Sequence, residues 1–146
     1  MRITQEADYA IRIICMLAEL KDKADANKIA QQTMITQRFA LKILRKLVGV
    51  DIIKSFKGVT GGYMLSKEPN EITLRAIIET IDGPVQIMKC IDKDHCCSQM
   101  GLDKSKCVLH NIFASISNNI VNILDKITVE MIINNDADIF CILECK

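Results

Sequence analysis

The sequence predicts a mainly α-helical fold with one small β-hairpin, and three observations carry that expectation. Apolar residues recur at helical spacing through most of the chain, as in Ala10, Ile13, Ile14 and Leu17. Three glycines crowd the connection Lys57-Gly58-Val59-Thr60-Gly61-Gly62 between two short strand-like runs. Threonines stand where helix N-caps are needed, at Thr36, Thr73 and Thr128.

A first helix is expected from about Gln5 to Leu20, followed by a polar connection, Lys21 to Ala26, and a short helix over Asn27 to Thr33. Thr36 caps a third helix that reaches Gly49. Ile52 to Phe56 and Tyr63 to Leu65 form the hairpin, because glycine supplies the positive φ its turn needs. Thr73 caps a fourth helix, Leu74 to Ile81, which Gly83-Pro84 ends. A polar stretch over residues 89–106 precedes a long helix from about Ser105 to Ile127, and Thr128 caps a last short one. Helix, short helix, turn, longer helix and hairpin is the order of a winged helix-turn-helix. The expected organisation is a winged helix-turn-helix over residues 1–82, a cysteine-rich loop over 83–107, and a long dimerisation helix with a tail over 105–146.

Composition limits the function. The 146 residues suit one domain with an appended element, and 49% hydrophobic with 25% charged residues excludes a fully disordered chain. Aromatics are 4% with no Trp, so the core is aliphatic. Arg12 interrupts the apolar run from Ala10 to Leu20, and Glu6 and Asp8 precede it, which argues against a membrane span or signal peptide. A cytoplasmic protein with no membrane partner is expected. Residues 1–67 carry twelve Lys or Arg against six acids, a net +6, whereas residues 68–146 carry seven against twelve, a net −5. A basic first half facing a polyanion fits double-stranded DNA.

On the third helix, Phe39, Ala40, Ile43, Leu44 and Leu47 form the inward stripe, leaving Arg38, Lys42, Arg45 and Lys46 off it. With Thr36 and Gln37 at its start, and Lys57 and Gly61 on the hairpin, these are the candidate DNA contacts. The hairpin glycines make no phosphate loop, since no Lys-Ser/Thr pair or helix follows them.

Four of the seven cysteines fall within eighteen residues: Cys90, then Cys96 after five residues, Cys97, and Cys107 after nine more, with His110 completing a C-x-x-H. In a reducing compartment such cysteines suit a metal better than a disulfide framework. Soft thiolates match an iron–sulfur cluster or zinc, and Cys90, Cys96 or Cys97, Cys107 and His110 also make a tetrahedral zinc set. A redox thiol pair without metal is the third option. No substrate pocket or cofactor motif supports an enzyme, including an iron–sulfur electron-transfer enzyme. Cys15 reads as a small core residue, and Cys141 and Cys145 stay unassigned.

The opening MRIT with DYAIR, the hairpin GVTGGYMLSK, the segment ITLRAIIETIDG and the final CVLH resemble the Rrf-two family of bacterial winged-helix regulators over essentially the whole chain. The likeness is to its iron–sulfur cluster-binding, IscR- and NsrR-like branch. That resemblance implies a 2Fe–2S or 4Fe–4S cluster held by Cys90, Cys96 and Cys107, with cluster state controlling DNA affinity in response to redox state, nitric oxide or iron. The interval between the second and third cysteines is longer here than the family's, and Cys97 can replace Cys96. For the fourth ligand the resemblance offers His110, as in IscR-like members, or Asp8 of the partner subunit, as in NsrR-like ones, with the expectation leaning to Asp8. The long apolar stripe Val108, Ile112, Ile116, Ile120, Ile123, Leu124 and Ile127 exceeds what one small domain covers. A homodimer on a palindromic operator is expected.

Overall fold

The computed structural model describes residues 3–58, 60–91 and 106–144. Its elements are α1 (Gln5–Leu20), α2 (Ala26–Thr33), α3 (Gln37–Gly49), β1 (Ile53–Phe56), β2 (Gly62–Leu65), α4 (Leu74–Asp82), α5 (Val108–Lys126), α6 (Val129–Ile133) and α7 (Asp138–Glu144). Short 3-10 turns lie at Pro69–Glu71 and Lys89–Ile91. This is the winged helix-turn-helix with a long C-terminal helix that the sequence predicts.

Local chemistry sets the helix starts. The side chains of Thr4, Asp25, Thr36, Thr73 and Thr128 each accept a hydrogen bond from a backbone N–H in the first turn that follows. The helices then bury one face each. Ile13, Ile14 and Leu17 of α1 meet Ile43, Leu44 and Leu47 of α3 and Ile77 of α4 in one aliphatic core.

The wing is a two-stranded antiparallel hairpin in which Ile53 pairs with Leu65 and Phe56 with Gly62. Ala24, between α1 and α2, adds a single bridge to Tyr63, with hydrogen bonds of 3.0 and 2.8 Å. Gly58, at φ +103° with open space around it, supplies the positive φ that the turn needs, whereas Gly61 and Gly62 are there for space. A Cβ on Gly61 would lie 2.3 Å from the Phe56 carbonyl oxygen, and one on Gly62 would lie 2.8 Å from that of Ala24.

After α5 the chain returns to the domain. The Leu74 N–H donates to Ile127 O at 2.8 Å, and the Val129 N–H donates to Ile72 O at 2.9 Å. Val129 is fully buried in the core, and α6 packs on α1. Among the described residues no helix is long and apolar enough to cross a membrane.

Glu6 ties α1 to α3. Only 16% of its side chain is exposed, yet Lys42 and Lys46 each place Nζ 2.7 Å from one of its carboxylate oxygens. Burial pushes the carboxyl pKa up, but the two lysine hydrogen bonds and charges outweigh burial and hold it below the ordinary 4.5. A depressed folded-state value means the stabilisation is present above the ordinary carboxylate range and is lost as pH falls through the lower folded value. Glu6→Gln is expected to cost about 1 kcal/mol near pH 7, since the lysines stay partly solvated. Thermal unfolding of both proteins checks this: the gap should close on acidification below the ordinary carboxylate range. A gap that persists unchanged would refute the assignment.

Candidate nucleic-acid interface and metal centre

The interface begins with α3, because its periodicity sorts its side chains. Ala40, Ile43, Leu44 and Leu47 are buried. Arg38, Leu41, Lys42 and Arg45 recur at three- and four-residue intervals on another face, where consecutive helical turns align them. With Thr36 and Phe39 they line an open depression of about 660 Å³, and three of its six side chains are cationic. Phe39 is only partly buried and packs edge-on against Tyr9, ring centroids 5.8 Å apart. Thr36 and Gln37 are exposed at the start of the helix.

The two lysines of α3 behave differently. Lys46 turns toward the body of the domain, donating to the Ile81 carbonyl at 3.2 Å while bridging Glu6. Lys42 lies on the open face, 58% exposed, although Glu6 also holds it. Arg38 and Arg45 are exposed. The role of Glu6 carries no local sequence signal, since its partners lie thirty-six and forty residues away.

On the wing, Lys54 and Lys57 are exposed, and Phe56 is an exposed aromatic with Lys23 Nζ 5.0 Å from its ring centroid. Gly61 sits at the turn, where its N–H donates to Gly58 O at 3.0 Å. The close approach to Phe56 explains that glycine structurally.

Of the candidate metal ligands, Cys96 and Cys97 lie outside the described residues. Cys90 and Cys107 are free and half-buried. Cys90 belongs to the 3-10 turn that packs against α5, and Cys107 is the N-cap residue of α5. Its thiol makes no capping hydrogen bond. His110 lies one turn further along α5. Its Nδ1 is buried and has no hydrogen-bond partner among the described residues, an arrangement that costs free energy unless something else satisfies the ring. Among the described residues no three His, Cys, Asp or Glu side chains already converge on a metal position.

Asp8 is half-exposed on α1, with an oxygen 2.9 Å from the Arg12 guanidinium. It borders an open depression with Ile3, Thr4 and Gln5. Cys15 packs at the edge of the core, where burial, then Glu19, pushes its thiol pKa up and disfavours the thiolate. Cys141 is exposed on α7, and Cys145 lies outside the described residues.

Comparison with known proteins agrees with this architecture. Residues 3–135 match the family described as Rrf2, iron-dependent transcriptional regulator. The HTH-type transcriptional regulator NsrR of Oceanobacillus iheyensis is 24% identical, over 98% of this chain and 97% of that relative. The HTH-type transcriptional regulator IscR of Pectobacterium atrosepticum is 26% identical, over 92% of this chain and 80% of its own length. The solved structure of CymR, the global cysteine regulator of B. subtilis, superposes with a TM-score of 0.74 at 22% identity, covering 92% of this chain and 98% of that one. The match spans the winged domain, the cysteine segment and the long helix together, and the chain therefore belongs to the Rrf2 family, as a DNA-binding transcriptional regulator and not an enzyme.

Proposed function

We propose that the protein acts as a homodimer that presents two α3 helices to a palindromic operator, with an iron–sulfur cluster setting its affinity. The observation that carries the reading is the open, cationic face of α3, set on a helix whose other face is locked into the core. Such a helix enters the major groove, and the wing follows the phosphate backbone. Arg38, near the helix start, is placed to read bases, with Thr36 and Gln37 beside it. Lys42 and Arg45 line the same face, and Lys57 meets phosphate. Lys46, drawn to Glu6 and Ile81, supports the position of α3.

Pairing is assigned to α5. Ser117 is its one buried residue among those described, whereas exposure runs from 41% at Ile116 to 70% at Val108. A helix with so much apolar surface fits a two-fold interface with its copy.

The residues present fit a thiolate-held cluster. Cys90 and Cys107 sit on elements in contact, Cys96 or Cys97 supplies the third thiolate, and the unpartnered Nδ1 marks His110 as an imidazole in need of a partner. The family's description as iron-dependent supports iron over zinc. When bound, the cluster supplies iron that responds to redox state, nitric oxide or iron supply. Asp8 of the partner subunit competes with His110 for the remaining position. To act there it must leave Arg12, which makes an Asp8-bound state easy to reverse.

Anaerobic purification followed by iron, sulfide and zinc analysis tests the cluster. Cys90→Ala and Cys107→Ala should each abolish retention of iron and sulfide. Cys96→Ala should be severe and Cys97→Ala mild. Mild effects at both would break the three-thiolate reading, and stoichiometric zinc without sulfide would replace the cluster by a tetrahedral zinc site.

The fourth position has its own measurement. If Asp8 of the partner subunit is the ligand, Asp8→Ala keeps the cluster while changing its visible spectrum and weakening cluster-dependent DNA binding. If the spectrum and coupling follow His110→Ala instead, His110 is the ligand.

For DNA, Lys57→Ala should weaken binding across sequences and reduce the salt slope by about one unit, because one fewer phosphate is neutralised. Arg38→Ala should alter base preference, because an arginine pairs bidentately with guanine. Titrations at several salt concentrations check both, and unchanged slopes and preferences would remove this docking.

A further inference from the structure

The turn between α2 and α3 contains a residue that neither packing nor backbone geometry explains. Met34 is 89% exposed, more than any other large apolar side chain among the described residues. Its φ is +57°, in the left-handed region. The turn itself requires that conformation, because Met34 ends α2 while the Ile35 N–H reaches back to Ala30 O at 3.0 Å. Glycine or asparagine satisfies such a position with less strain. The other described non-glycine residues with positive φ are Lys21, Asp51 and Asn135, all polar. Among the described residues, Met34 alone combines the strained backbone with an apolar side chain held in water.

Its location says what covers it. Met34 lies two residues before Thr36, the N-cap of α3, and so adjoins the end of the helix assigned to the major groove. In that docking the helix start meets base edges and the preceding turn lies at the groove margin. The apolar group displayed on base edges there is the 5-methyl of thymine. A methionine thioether is flexible and polarizable, and adapts to such a small target without hydrogen bonds. We infer that Met34 is a specificity-determining residue, packing on a thymine 5-methyl group beside the bases read by α3. The inference rests on the docking of α3 proposed above.

The test uses the full-length protein purified without oxygen and a duplex that it selects from a random pool. A second duplex carries uracil for thymine, which removes the methyl groups and preserves pairing. Met34→Gly and Met34→Asn should melt at the same or a higher temperature than the parent. They should bind the thymine duplex about threefold or more weakly. The parent should lose affinity on the uracil duplex, and the two variants should lose much less. Met34→Leu should keep both affinity and methyl dependence. Equal binding of the selected duplex by parent and Met34→Gly would overturn the methyl-packing role alone. Methyl dependence that persists in Met34→Gly would do the same. Selection of no sequence at all would remove the α3 docking and the inference with it.

Discussion

The clasp between Ile72–Leu74 and Ile127–Val129 governs how the rest of the molecule is arranged. Two backbone hydrogen bonds of 2.8 and 2.9 Å join the start of α4 to the end of α5, and Arg75 adds an ion pair to Asp125 at 2.7 Å. One end of α5 is thereby fixed to the DNA-binding domain. At about 1.5 Å per residue, its nineteen residues carry Cys107 roughly 28 Å from that anchor. A further tether lies near the middle, where the Ile87 N–H donates to the buried Ser117 hydroxyl at 3.2 Å. Beyond it toward Cys107, Val108, Leu109, Ile112 and Ile116 are all exposed. The candidate ligands Cys107 and His110 therefore sit at the end of α5 farthest from that clasp, beside its exposed apolar residues.

The helix α3 is held by charge as well as by burial. Its apolar face is locked, and the Glu6 bridges tie Lys42 and Lys46 to α1. Lys46 also reaches the carbonyl of Ile81, and the Thr4 N–H donates to Asp82 Oδ2 at 2.9 Å. Asp82 ends α4 immediately before Gly83, where the chain departs for the cysteine segment. The base of that segment, the start of α1 and the back of α3 thus share one polar network. A displacement of any one of them must strain specific bonds to the other two.

Much of this was legible in the sequence, where local signals decide the outcome. The bounds of α1 and α3 follow from apolar spacing and the Thr36 cap, and the hairpin follows from its glycines. The polar stretch over 134–137 conceals α7 (Asp138–Glu144), a short helix whose first N–H donates to the Asp136 carboxylate at 2.9 Å. Likewise, α6 was readable as a capped helix, but nothing local says that Val129 returns to the core under α1. Long-range charge pairing was equally hidden: spacing places Lys42 and Lys46 off the apolar stripe but cannot say that Glu6 claims them. Cysteine spacing names the candidate ligands, whereas the orphaned Nδ1 of His110 emerges only from folded packing.

The exposed end of α5 also bears on why pairing and metal binding belong together in the proposed dimer. Fully burying a large aliphatic side chain stabilises by about 1.5–3 kcal/mol. Val108, Leu109, Ile112 and Ile116 are already partly covered, so their remaining gain is roughly half of that each, on the order of 3–6 kcal/mol per chain. Two chains double this figure, and association costs about 4–15 kcal/mol in lost freedom. Pairing through these residues alone is therefore close to balance. The cysteine segment enters at this same end of α5, with few apolar residues of its own to order it. A metal that fixes Cys90 and Cys107 would pre-organise the surface on which the helices meet, and ordering supplied by metal ligation is ordering the interface no longer has to provide. In the proposed dimer, near such a balance, a small change in ligation would be enough to shift the spacing of two α3 helices.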